Sequence, residues 1–206
     1  MFTKGLSQTT QNNLAALKNL AFVKSYYLAG GTALSLHFGH RFSNDLDFFS
    51  QTPASSEIIK SELSKAGQLE IFQNDEGTFN GVLDGGKLSF FIYPYGLLKP
   101  VLDFNGVKVA DIADIACMKI DAISSRGTKR DFIDFYFICN RFKPIEALLE
   151  LYSKKYRGVK FNKLHLVKSM IYFNDAEDDV MPQMIEKVEW EAIKQFFINK
   201  IKQIRF

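Results

Sequence analysis

Apolar positions repeat with different periods along the chain, and the changes of period mark its elements. Residues 8–23 carry Leu14, Leu17, Leu20 and Ala21 at helical spacing behind Ser and Thr caps, which predicts a helix. The aromatic run SYYLA (25–29) reads as a short strand entering the Gly30-Gly31 turn, and Thr32–Phe38 as a helix with Leu34 and Phe38 inward. A polar loop, 40–44, precedes a strand over 45–49. Ile58, Ile59 and Leu63 share one face of a helix predicted over 55–66, and strands follow at 68–73, 78–83 and 87–93. DGGK (84–87) and Asn105-Gly106 have hairpin-turn chemistry. From Asp111 onward the period becomes helical, with helices predicted over 113–125, 130–142, 143–156, 162–173 and 183–204. Strands interleaved with helices and then helices alone predict an α+β fold with a mixed or antiparallel sheet. The division expected is an α+β core over 1–110 with a helical C-terminal portion, 111–206, packed on it.

Composition adds few constraints. The 206 residues, 47% hydrophobic with 20 Phe, suffice for a sizeable core, and 5 Pro and 13 Gly argue against low complexity. A net charge of +3 is too mild to define a polyanionic partner by itself. Cys117 and Cys139 lie in apolar helical patterns without metal-ligand spacing, so buried thiols are expected rather than a disulfide or a metal site. The N-terminal stretch lacks a signal-peptide core and no run reaches the length of a membrane span, so a cytoplasmic protein without membrane contact is expected.

The chemistry concentrates in GGTALSLHFGHRFSNDLDFFS, residues 30–50. Asp is depleted in strands, yet Asp45 and Asp47 open one. Residues i and i+2 of a strand face the same side, so the two carboxylates project together and repel unless a cation lies between them. A hard divalent ion, Mg2+ or Mn2+, suits such a pair. Gly30-Gly31 lets backbone N–H groups approach an anion where a helix starts, and Thr32 adds a hydroxyl. An anion-binding turn ahead of a metal-binding acid pair matches the needs of phosphoryl or nucleotidyl transfer. The competing reading is a plain chain turn followed by a capping Asp45 and a solvated Asp47.

The same stretch resembles the signature of the polymerase-β-like nucleotidyltransferase superfamily, a Gly-Gly-Ser/Thr turn followed by Asp-x-Asp. The wording from Arg41 to Asp47 is most similar to the AbiEii/AbiGii toxins, the toxin halves of bacterial abortive-infection toxin–antitoxin systems. ACMKIDAISSRGTKRDFIDFYFI (116–138) resembles that family's helical Lys…Arg…Asp-x-x-Asp motif, and YFNDAEDDVMPQM (172–184) its C-terminal segment. The resemblance implies a nucleotidyltransferase core and transfer of a nucleotide from an NTP to an RNA hydroxyl, tRNA included, or to a protein, with a cognate antitoxin as partner. It implies Asp45 and Asp47 as metal ligands and catalytic groups, with Lys119 and Asp131 beside them. Gly30, Gly31, Thr32, Arg41, Ser43, Lys119 and Arg126 would bind the nucleotide.

Several alternatives stay open at the level of sequence. Lys119, Arg126 and Asp131 suit either triphosphate binding or a salt-bridge cluster joining two helices, and Asp134 suits a structural role as well as a chemical one. Arg41 either contacts a phosphate or pairs with Asp45. His37 reads as a packed or surface residue. The superfamily places a third carboxylate on a later strand, but KLSFFIYPY (87–95) holds no acid. Glu70, Asp75, Asp84 and Asp131 are the remaining candidates, and a non-catalytic nucleotide-binding module acting through a protein partner is the second reading. Between Arg141 and Lys168, eight Lys/Arg with Tyr152, Tyr156 and Phe161 among them suit either RNA contact or an outer helix face. The acidic residues 175–179 are expected in a solvated loop.

Overall fold

The computed structural model describes residues 1–204. Helix α1 (Gln8–Leu17) starts where the Ser7 hydroxyl accepts from the Thr10 N–H and turns Leu14 and Leu17 inward. It ends earlier than its apolar spacing suggests. The next position on its inner stripe, Ala21, is exposed, whereas Phe22 and Val23 are buried, so the chain tightens into a 3-10 turn over Ala21–Ser25. Strand β1 (Tyr27–Ala29) then leads directly into α2 (Gly30–Phe38), which takes in both glycines. Strand β2 (Leu46–Ser50) and α3 (Ser56–Ala66) follow, then β3 (Leu69–Asp75), β4 (Thr78–Leu83), β5 (Gly86–Ile92), β6 (Leu102–Phe104) and β7 (Val107–Val109). Positive φ at Asp84 and Gly85, and at Asn105 and Gly106, closes the two hairpins that those residue types predict.

The strands form one mixed sheet in the order β3-β4-β5-β2-β1-β7-β6. β1 pairs antiparallel with β2, while β2 runs parallel to β5 and β1 parallel to β7. Burial alternates along β2: Leu46, Phe48 and Ser50 are buried on one face, and Asp47 and Phe49 point to the other. On the buried face Phe48 stacks on Phe90 with centroids 5.1 Å apart, and Phe22, Tyr26 and Phe79 set their edges against Phe90.

Helices α4 (Ile112–Ser125), α5 (Lys129–Arg141), α6 (Ile145–Lys155), α7 (Lys163–Ser169), α8 (Asn174–Glu177) and α9 (Trp190–Ile201) complete the described chain. Leu28, Leu34 and Phe48 share one hydrophobic cluster with Ile120, Phe132, Ile138 and Leu148, so these helices extend the core of the sheet layer. Inside it, the Lys155 ammonium meets the buried Asp114 at 2.6 Å, and Asp114 also accepts from the Leu98 and Lys99 N–H groups, which fixes the loop after β5.

Two expectations need correction. The last helix begins at Trp190, not at residue 183. Residues 183–185 run extended after Pro182: Phe42 N–H donates to the Gln183 carbonyl at 2.9 Å and Ile185 N–H to the His40 carbonyl at 3.0 Å. That pairing satisfies the backbone of the 40–42 loop, which a helix there would leave without partners. The acidic stretch is also more than a solvated loop. Asn174–Glu177 is helical, and the Asp179 carboxylate accepts from the Lys129 N–H at 2.9 Å, capping α5, whose Thr128 makes no side-chain cap.

Candidate active site

The antiparallel register sets Ala29 opposite Asp47, so β1 delivers the Gly-Gly turn to the acid strand. Gly30 has φ +70°, and a Cβ on it would lie 3.0 Å from Asp47 Oδ2. A Cβ on Gly31 would collide with the Arg41 guanidinium. Two adjacent glycines therefore let the start of α2 press against Asp47 on one side and against the 41–43 loop on the other. Ala29, at the N-cap, offers no side-chain cap, so the first turn of α2 presents N–H groups and the positive end of its dipole toward the carboxylates.

Thr32 departs from its expected role. Its buried hydroxyl donates to the Asp45 carbonyl at 2.5 Å and lies 3.0 Å from Ser43 Oγ, so it fixes the loop that carries Asp45 and is not free to hold a phosphate. Ser43 is partly exposed; because the single Thr32 proton goes to the Asp45 carbonyl, Ser43 is the donor in that contact and meets a ligand only by turning away from Thr32. Arg41 fits neither of its two readings. Its guanidinium is buried and forked on Asp134, with Nε to Oδ1 at 2.7 Å and Nη2 to Oδ2 at 2.8 Å. Arg41 thus holds the loop and is not available to a nucleotide.

Asp134 is the hub of this support. Besides Arg41 it meets His40 Nε2 at 2.8 Å and Lys119 Nζ at 2.6 Å, with no exposure to solvent. Burial alone would push its carboxyl up, but Arg41 and Lys119 outweigh that and hold it well below the usual carboxylate range. Asp131, one helical turn earlier, accepts from Lys119 Nζ at 3.0 Å, Arg126 Nε at 2.8 Å and Thr128 Oγ1 at 2.7 Å. Burial opposes its ionised form too, and Lys119 and Arg126 again win. A carboxylate so enclosed by cations is a positioning group and a poor base, which corrects the catalytic role expected of Asp131. His37 is a packed residue, with Nε2 2.8 Å from the Ala110 carbonyl.

Asp47 is pulled the other way. Burial and the neighbouring Asp45 charge raise its carboxyl above the ordinary value, and Lys119, Arg126 and a hydrogen bond from Ser89 only partly offset them. Asp45 is half exposed, with Arg130 Nη1 3.7 Å from its Oδ2. Ser89 is the direct register partner of Asp47 on β5, so a hydroxyl sits beside the acid pair on the neighbouring strand. Glu70 and Asp75 lie on the edge strand β3, remote from β2 in the sheet order, and the Asp84 carboxylate is spent on the Gln68 N–H at the β4–β5 hairpin. Among the described residues no group of three or more His, Cys, Asp or Glu side chains is placed to hold a metal ion.

Two cavities flank the pair. One, of about 430 Å³, combines Gly30, Asp47, Lys119 and Arg126 with apolar walls from Phe49, Phe91 and Met118, and Asp121 lies on its lining. The other, of about 450 Å³, is polar and includes Ser43, Asn44, Asp45, Thr128 and Arg130. Arg130, Asp121 and the apolar wall are additions that the motifs did not single out. Arg130 stood beside Asp131 in the sequence, and Asp121 two positions after Lys119, but neither spacing carried a signal of its own.

A mixed sheet that sets an Asp-x-Asp strand against a glycine-started helix, with a Lys-Arg cluster behind the acids, defines the nucleotidyltransferase class, and this protein is a nucleotidyltransferase. Residues 14–96 and 93–206 match the nucleotidyl transferase AbiEii toxin family, of type IV toxin–antitoxin systems, and the chain belongs to that family. It is similar to the uncharacterized protein aq_aa25 of Aquifex aeolicus (strain VF5), with 38% identity over 205 residues, covering 96% of this chain and 97% of the relative. Among solved structures it resembles MenT4, a nucleotidyltransferase toxin from Mycobacterium tuberculosis H37Rv, at TM-score 0.58 and 15% identity over 95% of this chain and 84% of that one. JHP933 from Helicobacter pylori is similar at TM-score 0.50 and 17% identity, over 96% and 95% of the two chains. At these identities the structural likenesses carry the fold alone.

Proposed function

We propose that the protein transfers a nucleotide from an NTP to a hydroxyl of an RNA, tRNA included, or of a protein, and acts as the toxin toward a cognate antitoxin in abortive infection. The observation that supports this most strongly is the placement of Asp45 and Asp47 against the uncapped start of α2, with Lys119 and Arg126 beside Asp47 in one cavity. A divalent cation, Mg2+ or Mn2+, fits the donor set. Asp47 is left with its charge opposed by burial and by Asp45, and a small hard ion is commonly held by one or two carboxylates plus substrate phosphates. Asp45 and Asp47 would hold that ion, which would supply neutralisation of the charge that develops on the phosphates.

The chain's own residues do the rest. Gly30 and Gly31 N–H groups and the Ser43 hydroxyl cradle the triphosphate. Arg126, exposed but anchored on Asp131, supplies a positioned cation, and Lys119, fixed by Asp131 and Asp134, sets the potential behind Asp47. The apolar wall of Phe49, Phe91 and Met118 covers the base. The acceptor oxygen attacks the α-phosphorus, the bond from that phosphorus to the bridging oxygen breaks, and pyrophosphate leaves with the electron pair. The acceptor's proton passes to water, which reaches the site at the half-exposed Asp45. No described helix is long and apolar enough to cross a membrane, and a cytoplasmic site of action is part of this proposal.

One observation favours a second reading. Ser89 stands where a third carboxylate would complete a two-metal site, which suits a nucleotide-binding module acting through a partner. Calorimetry with each NTP, with and without Mg2+, combined with growth arrest in cells, separates the two. Catalysis predicts that Asp45→Asn abolishes growth arrest while the protein stays folded. Growth arrest that survives loss of both aspartates, with NTP still bound, would support the module instead.

A further inference from the structure

Three arginines stand near the acid pair, and two of them are spent. Arg41 is forked on Asp134, and Arg126 donates twice to Asp131. Arg130 differs. Among the described residues its guanidinium makes no hydrogen bond, and its one ion-pair partner, Asp45 Oδ2, stands 3.7 Å away, beyond hydrogen-bond reach. Arg130 is also the second residue of α5, where the positive end of the helix dipole disfavours a cation. Lys129 beside it is answered by the Glu177 and Asp179 carbonyls, and Arg130 has no such answer.

Arg130 lines the polar cavity of about 450 Å³ together with Ser43 and Asn44. The Ser7 N–H donates to Asn44 Oδ1 at 2.8 Å, which fixes the orientation of that amide and leaves its NH2 group unspent. The Asp179 carboxylate on the same lining is taken up by the Lys129 N–H. Arg130 and Asn44 thus offer free donors to an anion in this cavity. The two glycines connect it with the cavity that contains Asp47. A Cβ on Gly30 would lie 3.0 Å from Asp47 Oδ2, and one on Gly31 would lie 3.0 Å from Ser43 Oγ. A phosphate chain held at the start of α2 therefore has one end toward the apolar walls of Phe49, Phe91 and Met118 and the other toward Arg130.

We propose that Arg130 is a catalytic residue that receives the leaving pyrophosphate, an inference that rests on the nucleotidyl-transfer reading of the acid pair. Its side chain turns from Asp45 to the β- and γ-phosphates in the polar cavity. There the guanidinium fork neutralises the charge that gathers on the bridging oxygen as its bond to the α-phosphorus breaks. Arg130 stays protonated throughout, and the electron pair leaves on pyrophosphate. The contact with Asp45 is long and exposed to solvent, so giving it up costs little.

The test is calorimetry with Mg2+ present, comparing each NTP, the matching nucleoside monophosphate and inorganic pyrophosphate on the wild type, Arg130→Gln and Arg130→Lys. Arg130→Gln should weaken NTP and pyrophosphate about tenfold and leave the monophosphate unchanged, and Arg130→Lys should recover part of the loss. Pyrophosphate formation at saturating NTP should fall in Arg130→Gln as well. NTP affinity unmoved in Arg130→Gln, an equal loss for the monophosphate, or undiminished turnover at saturating NTP would overturn the proposal. A wild type that binds no NTP would refute the reading of the acid pair and this proposal with it. A wild type that turns NTP over with affinities and rates indifferent to Arg130 would overturn this proposal alone.

Discussion

Three aspartates within this site illustrate how surroundings, not residue type, decide what a carboxylate does. Asp134 is fully buried yet surrounded by Arg41, Lys119 and His40, so it is ionised and fixed. Truncating it leaves the buried Arg41 without a counter-charge and Lys119 with Asp131 alone, and Asp134→Ala should cost about 3–5 kcal/mol in denaturant unfolding. Its depressed carboxyl, like that of Asp131, adds stability that is complete above the unfolded value of 3.8 and is lost as pH falls below it. Wild-type stability should therefore drop steeply below about pH 4, and less steeply in Asp134→Asn. Asp47 has the opposite sign. Its raised carboxyl means that folding loses stability as pH climbs from 3.8 through the higher folded value, and the ionised form is held at a cost at neutral pH. Asp47→Asn should accordingly raise apo stability by about 0.5–2 kcal/mol while removing activity. Mg2+ should raise the Tm of the wild type and leave that of Asp47→Asn unchanged.

At the scale of elements, the site depends on the close approach of the α2 start to β2 and to the 41–43 loop. Gly31 permits it, and because the facing Arg41 is locked on Asp134, the collision with an added Cβ has no cheap escape. Gly31→Ala should destabilise by about 1–3 kcal/mol, measured by thermal unfolding. The glycines and the Asp-x-Asp strand were legible because each is a local pattern, one set by backbone freedom and the other by the period of a strand. The hairpins at 84–87 and 105–106 were legible for the same reason, each needing positive φ at named residues. The start of α9 was not. Residues 183–189 carry helix-compatible spacing, but the backbone of the 40–42 loop recruits Gln183 and Ile185 into extended pairing, a choice made by distant chain.

At the scale of the molecule, the fold class and the acid pair could be read from sequence, while the division of labour around them could not. Arg41 finds its partner 93 positions away, and Thr32 spends its hydroxyl on the carbonyl of Asp45. Such assignments follow from packing distant parts of the chain together, and no spacing encodes them. The eight cations between Arg141 and Lys168 make the same point, since no spacing distinguishes Lys155, the one that is buried, from the rest. The central claim is that the Asp45–Asp47 pair performs nucleotidyl transfer. Its most direct test follows label from the α-phosphate of each NTP, with Mg2+ and total RNA, alongside pyrophosphate release. The account predicts label covalently retained on macromolecule in step with pyrophosphate, and loss of both in Asp45→Asn and Asp47→Asn. Tight NTP binding with neither label transfer to RNA or protein nor pyrophosphate release would contradict it.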